Sequence, residues 1–75
     1  MNQKQISKFL KEFRLKKKLS MYRVSVNSGL TINQINRIES GKSGYTVESL
    51  NKICKGLGLK INIVEDNKKD IIHGQ

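Results

Sequence analysis

Two helix starts and one glycine, packed into residues 19–42, constrain this chain more than any other feature. The stretch reads LSMYRVSVNSGLTINQINRIESGK. Gly29 lies between two segments of helical periodicity, where a residue without a Cβ lets the backbone take positive φ and change direction. Upstream, Ser20 is a good N-cap for a helix over 21–28, and Leu19 and Val24 occupy the staple positions on either side of that cap. Downstream, Thr31 followed by Gln34 is a capping-box pattern, with Leu30 and Ile35 as a second staple. A second helix is therefore expected over 32–40. Ile35 and Ile38 mark its buried side, which turns Asn33, Asn36, Arg37 and Ser40 outward.

An exposed helical side made of amides and one guanidinium differs from an ordinary solvated helix, which carries Lys and Glu. Asn and Gln pair bidentately with adenine, and Arg with guanine, along the edges of a DNA major groove. With Ser25, Gly29, Ile35 and Ile38 at these spacings, followed by Glu39-Ser40-Gly41-Lys42, the chain resembles the helix-turn-helix of the phage repressor and Cro family, the XRE type, across residues 6–59. The resemblance implies that the first helix of the pair lies across the DNA backbone and the second enters the groove. It also pairs Arg14 with Glu39, a tie between the first helix and the recognition helix. Three positions depart from the family pattern. Ser25 stands where alanine is usual and buries a hydroxyl that needs a partner. Met21 replaces a phosphate-binding glutamine, a role that falls to Tyr22 or Arg23. Tyr45 replaces a proline, either packing under the loop or facing DNA.

Charge agrees with such a partner. Fifteen Lys and Arg against six Asp and Glu give 75 residues a net charge of +9, which favours a polyanion. A chain of this length forms one domain with a modest core. Paired carboxylates, a histidine cluster and a phosphate-cradling glycine loop are all missing, so no enzyme is expected. Cys54 is read as a core residue: the one histidine, His73, is remote, which leaves neither a nucleophile with a base nor a metal ligand set, and no cofactor is implied. A single cysteine, with no secretory segment and no membrane-length apolar run, leads to the expectation of a cytoplasmic protein without a membrane partner.

Along the rest of the chain, a first helix is expected over 3–18, with Ile6, Phe9, Leu10 and Phe13 as its buried stripe. Its basic end, Arg14 with Lys16, Lys17 and Lys18, suits the negative pole of the helix dipole and also phosphate. Residues 41–45, with two glycines, end the recognition helix. Thr46 caps a further helix whose inward stripe is Leu50, Ile53, Cys54 and Leu57, and Gly56 and Gly58 are read as its stop. Residues 60–65, KINIVE, alternate apolar and polar as a strand does. A lone strand leaves its backbone groups unpaired, so pairing with a second copy through Ile61, Ile63 and Val64 is preferred over an extended segment lying on the chain's own helices.

The expected fold is thus all-α: four to five helices in a repressor-like DNA-binding domain over 1–65, a short C-terminal β-strand at 60–65 and a disordered tail at 66–75. The expected base contacts are Ile32, Asn33, Gln34, Asn36 and Arg37, and the expected phosphate contacts are Arg14, Tyr22, Arg23, Lys42 and Ser43. The resemblance implies a transcriptional regulator, most often a repressor, acting as a homodimer on double-stranded DNA with an inverted repeat. The alternative is an antitoxin that binds a toxin protein and its own operator. A basic helix lying on an anionic membrane is the weakest reading, because the aromatic side of the first helix is needed for the core.

Overall fold

A computed structural model describes residues 2–65. Four helices follow one another: α1 (Gln3–Lys16), α2 (Met21–Ser28), α3 (Ile32–Ser40) and α4 (Val47–Leu57). Each begins on a residue whose side-chain oxygen accepts an N–H of the first turn, and each cap is in extended conformation: Asn2, Ser20, Thr31 and Thr46. Such caps satisfy donors that the helix itself leaves unpaired. At Thr31 the box is reciprocal, with Gln34 N–H donating to Oγ1 at 3.1 Å and Thr31 N–H donating to Gln34 Oε1 at 2.8 Å. Asn2 and Gln5 form a second reciprocal box.

Three helices end on glycines in left-handed conformation, Gly29, Gly41 and Gly58. Between α2 and α3 only Gly29, Leu30 and Thr31 intervene, and the two helices pack against each other across this turn. Ser25 finds its partner there, its hydroxyl donating to the Leu30 carbonyl at 2.5 Å.

The core is one cluster: Leu10, Val24, Leu30, Ile35, Ile38, Ile53, Cys54 and Leu57, flanked by half-buried Ile6, Phe13, Leu19, Met21, Tyr45, Leu50 and Leu59. α2 packs on α4 and α3, and α1 packs chiefly on α3. Burial pushes the Cys54 thiol above its ordinary pKa, because a thiolate in this apolar setting would lose its hydration.

Several expectations need correction. α1 ends at Lys16, and Lys18 takes φ 59°, so the chain turns two residues before the basic run is finished. Its buried line is Ser7, Leu10 and Arg14, with Ile6 and Phe13 on one margin. Phe9 is 47% exposed and stacks on Phe13 at the surface, with ring centroids 5.9 Å apart. At 3.6 residues per turn this places the packed face roughly 80° from the apolar stripe. The reason is the Arg14 pairing described below, which draws a polar line of the helix inward. Gly56 does not stop α4. It is buried within the helix, where a Cβ would come to 2.8 Å from Ser28 Cβ and 3.1 Å from the Val24 carbonyl oxygen. Glycine is required there for the close approach of α4 to α2, and Gly58 alone supplies the cap.

Residues 60–65 are in no helix or ladder of the single chain. Ile63 and Val64 stand in solvent and Ile61 is partly exposed. The second of the two alternatives for this segment, an extended run lying on its own helices, is therefore not what the chain does at Ile63 and Val64. Met1 and the tail 66–75, including His73, lie outside the described residues. No helix among the described residues is long and apolar enough to cross a membrane.

Candidate nucleic-acid interface

α3 is nine residues long, and its two sides are chemically distinct. Ile35, Ile38 and Glu39 are buried, whereas Ile32, Asn33, Gln34, Asn36 and Arg37 are all exposed along the opposite side. The five residues expected to read bases therefore all reach solvent, with Asn33, Asn36 and Arg37 toward the middle of the exposed side and Ile32 and Gln34 at its two margins. Gln34 has a double role. Its Oε1 accepts the Thr31 N–H and holds the start of the helix, while its Nε2 is left as a donor. Gln34 and Arg37 together line a recess with Gly44, Tyr45, Thr46 and Ser49, which continues the polar surface from α3 onto the start of α4.

The electrostatics of this face follow from one ion pair. Between Lys17 and Val47 the chain carries a single carboxylate, Glu39. Glu39 is turned inward, its Oε2 accepting from Arg14 Nε at 2.7 Å and its Oε1 from Arg14 Nη2 at 3.0 Å. Arg14 Nη1 donates to the Leu19 carbonyl at 2.8 Å. No acid is left on the outward side of α2, the turn, α3 or the following loop, so no negative charge there opposes a polyanion.

The same geometry corrects one expected contact. Arg14 is only 6% exposed and each of its three nitrogens is hydrogen-bonded, so it ties α1 to α3 and is withdrawn from the expected phosphate contacts. The remaining four, Tyr22, Arg23, Lys42 and Ser43, are exposed. Tyr22 and Arg23 open α2, and Lys42 and Ser43 follow the cap of α3.

The loop after α3 is fastened from the other side by a residue that sequence reading overlooks. Gln3 Nε2 donates to the Ser43 carbonyl at 2.6 Å, and Tyr45 Oη donates to the Gln3 carbonyl at 3.4 Å. Tyr45 thus packs under the loop. Its only advance signal was an aromatic ring in place of proline, which carries no direction.

A helix-turn-helix family model matches residues 10–64, most of the chain, with α2, α3 and the loop that follows them. The chain belongs to the XRE-type helix-turn-helix family. It is a DNA-binding regulator and not an enzyme, and α2 and α3 are the two helices of its motif. Among solved structures, this helix-turn-helix protein is similar to a point mutant of the restriction-modification controller protein C.Esp1396I. The two share 26% identity, and the match covers 96% of this chain and 92% of the other at a TM-score of 0.68. No curated protein matches the sequence.

Proposed function

We propose that this protein is a sequence-specific transcriptional repressor that reads double-stranded DNA by laying α3 in the major groove. Ile32, Asn33, Gln34, Asn36 and Arg37 would face base edges, and Tyr22, Arg23, Lys42 and Ser43 would set the register on phosphates. The observation that carries this reading is the clean outward side of α3: five exposed residues with base-reading chemistry, and the nearest carboxylate buried against Arg14. Similarity to a restriction-modification controller protein supports a regulatory role.

A homodimer completes the proposal. Ile61, Ile63 and Val64 are exposed apolar residues at the end of the described chain, and pairing 60–65 with its counterpart in a second copy would satisfy their backbone groups and cover them. Two recognition helices related by a two-fold axis would then meet half-sites about 34 Å apart, as an inverted repeat in a promoter. Expression in the cytoplasm, where the operator lies, belongs to the same reading.

The deciding experiment is selection from a random duplex pool with wild type, Asn33→Ala and Arg37→Ala at two salt concentrations. Enrichment of two related half-sites is expected, with each variant losing roughly 1–3 kcal/mol of discrimination at one position. Binding that follows salt alone and ignores both substitutions overturns base reading. Truncation after Leu59 is expected to give a monomer, and an unchanged mass in solution overturns strand pairing.

The same exposed Ile63 and Val64 support a second reading, an antitoxin whose terminal segment binds a toxin. It is distinguished by a second protein of defined mass that co-purifies with the chain and is lost on the same truncation.

A further inference from the structure

Away from the base-reading side of α3 lies a second cationic surface. Lys4, Lys8 and Lys11 recur at i, i+4 and i+7, one line along α1. Lys42 reaches the same place from the loop, and the four lysines line one open recess with Ser7, Glu39, Ser40 and Gly41. All four lysines are exposed, and none is ion-paired among the described residues.

Ser7 is the second, independent observation. It is 2% exposed, and its hydroxyl has no hydrogen-bond partner. Buried hydroxyls are ordinarily paired, so an unpartnered donor in the wall of a four-lysine recess marks a position for an acceptor oxygen. Gly41 faces it. A Cβ at that position would come to 3.4 Å from Ser7 Cβ and 3.5 Å from Oγ, so glycine is the residue that crowds the buried hydroxyl least, and a phosphate oxygen reaches it only with a small displacement of the residue 41–42 backbone. Two negative features share the recess: the Glu39 carboxylate, held by two bonds to Arg14, and the C-terminal pole of α3. The lysines outnumber them, and they supply point charges of the kind that bind phosphate.

We propose that this recess is a phosphate-binding site distinct from the base-reading side of α3. Lys4, Lys8, Lys11 and Lys42 provide the charge, and the Ser7 hydroxyl donates to one phosphate oxygen. Two sources offer that chemistry, a backbone phosphate flanking the half-site and a small phosphorylated molecule. Only the first rests on the DNA reading.

The test follows backbone amide shifts of the full chain during titration with inorganic pyrophosphate, with ionic strength held constant by chloride. Saturable shifts are expected at Ser7, Lys8, Gly41 and Lys42, with Asn33 and Arg37 unmoved. The double variant Lys8→Gln, Lys11→Gln should weaken that binding roughly tenfold, as expected for two lost cations. Ser7→Ala should weaken it too while leaving the melting temperature no lower. Shifts spread over every lysine without saturation, or unchanged by these substitutions, overturn the site and leave a basic surface that collects anions.

A second arm compares wild type and the double variant on a duplex trimmed to the selected half-sites and on one extended by about a turn at each end. If DNA supplies the phosphate, the wild type gains affinity on the longer duplex and the double variant does not. If a small molecule supplies it, both proteins bind both duplexes alike while the pyrophosphate difference persists. Failure of half-site selection overturns the DNA reading without touching the pyrophosphate titration.

Discussion

Arg14 and Glu39, 25 positions apart, meet side by side in the interior, with Nε to Oε2 at 2.7 Å and Nη2 to Oε1 at 3.0 Å. Their side chains are 7% and 2% exposed. Two parallel bonds make the pair directional as well as attractive, and the third guanidinium bond, to the Leu19 carbonyl, anchors the connection into α2. One arginine thereby fixes α1 against both helices of the DNA-binding motif.

Removing either partner leaves the other charged and buried. Arg14→Ala and Glu39→Ala are each expected to lower unfolding stability by about 3–5 kcal/mol, while a paired replacement such as Arg14→Met with Glu39→Leu loses much less. Arg14→Lys does not rescue, because an ammonium cannot make the two parallel bonds. Urea unfolding of the four variants checks this. Equal losses in the single and paired variants would show that packing, not charge, sets the cost.

Gly56 tests the contact of α4 with α2. Alanine there meets Ser28 Cβ at 2.8 Å and the Val24 carbonyl oxygen at 3.1 Å, so one helix must move. Gly56→Ala is expected to cost about 1–3 kcal/mol despite alanine's better helix propensity. Thermal unfolding decides it: a gain in stability would mean that α4 shifts freely and that the close approach is incidental.

Cys54 predicts a pH dependence. Burial raises its pKa in the folded state, so the unfolded chain loses its thiol proton first. The stability carried by the neutral buried thiol is fully present below the ordinary thiol pKa and is lost as pH rises through the raised folded value. Unfolding midpoints of wild type should therefore fall between neutral and alkaline pH more steeply than those of Cys54→Ala. Alkylation of the native protein should be slow at pH 8 and fast in denaturant. Parallel midpoints for the two proteins would place the thiol in contact with water.

Much of this architecture is local and therefore legible in the chain. Ser20, Thr31 and Thr46 act on backbone N–H groups three residues away, and Gly29 needs only its own φ of 80° to turn the chain. The exposed side of α3 follows from Ile35 and Ile38 by helical periodicity alone. The family resemblance supplied the pairing of Arg14 with Glu39, which no local rule derives.

What tertiary structure decided lies where two distant segments compete for the same space. Phe9 extends the most apolar line of α1, yet the buried line passes through Ser7 and Arg14, because α3 brings Glu39 opposite Arg14 and either charge buried without the other would be costly. Gly56 looks like a helix stop in sequence and becomes a contact point only when Ser28 arrives opposite it. Ser7 and the lysines at 4, 8, 11 and 42 acquire their common recess in the same way, from the packing of α1 against the end of α3. Sequence by itself determined the helices, their caps, the turn and the chemistry that α3 carries, since each depends on neighbours within four residues. The rotation of α1, the depth of Arg14 and the gathering of the lysines were decided by the fold, because burial is a property of what the rest of the chain brings against a residue.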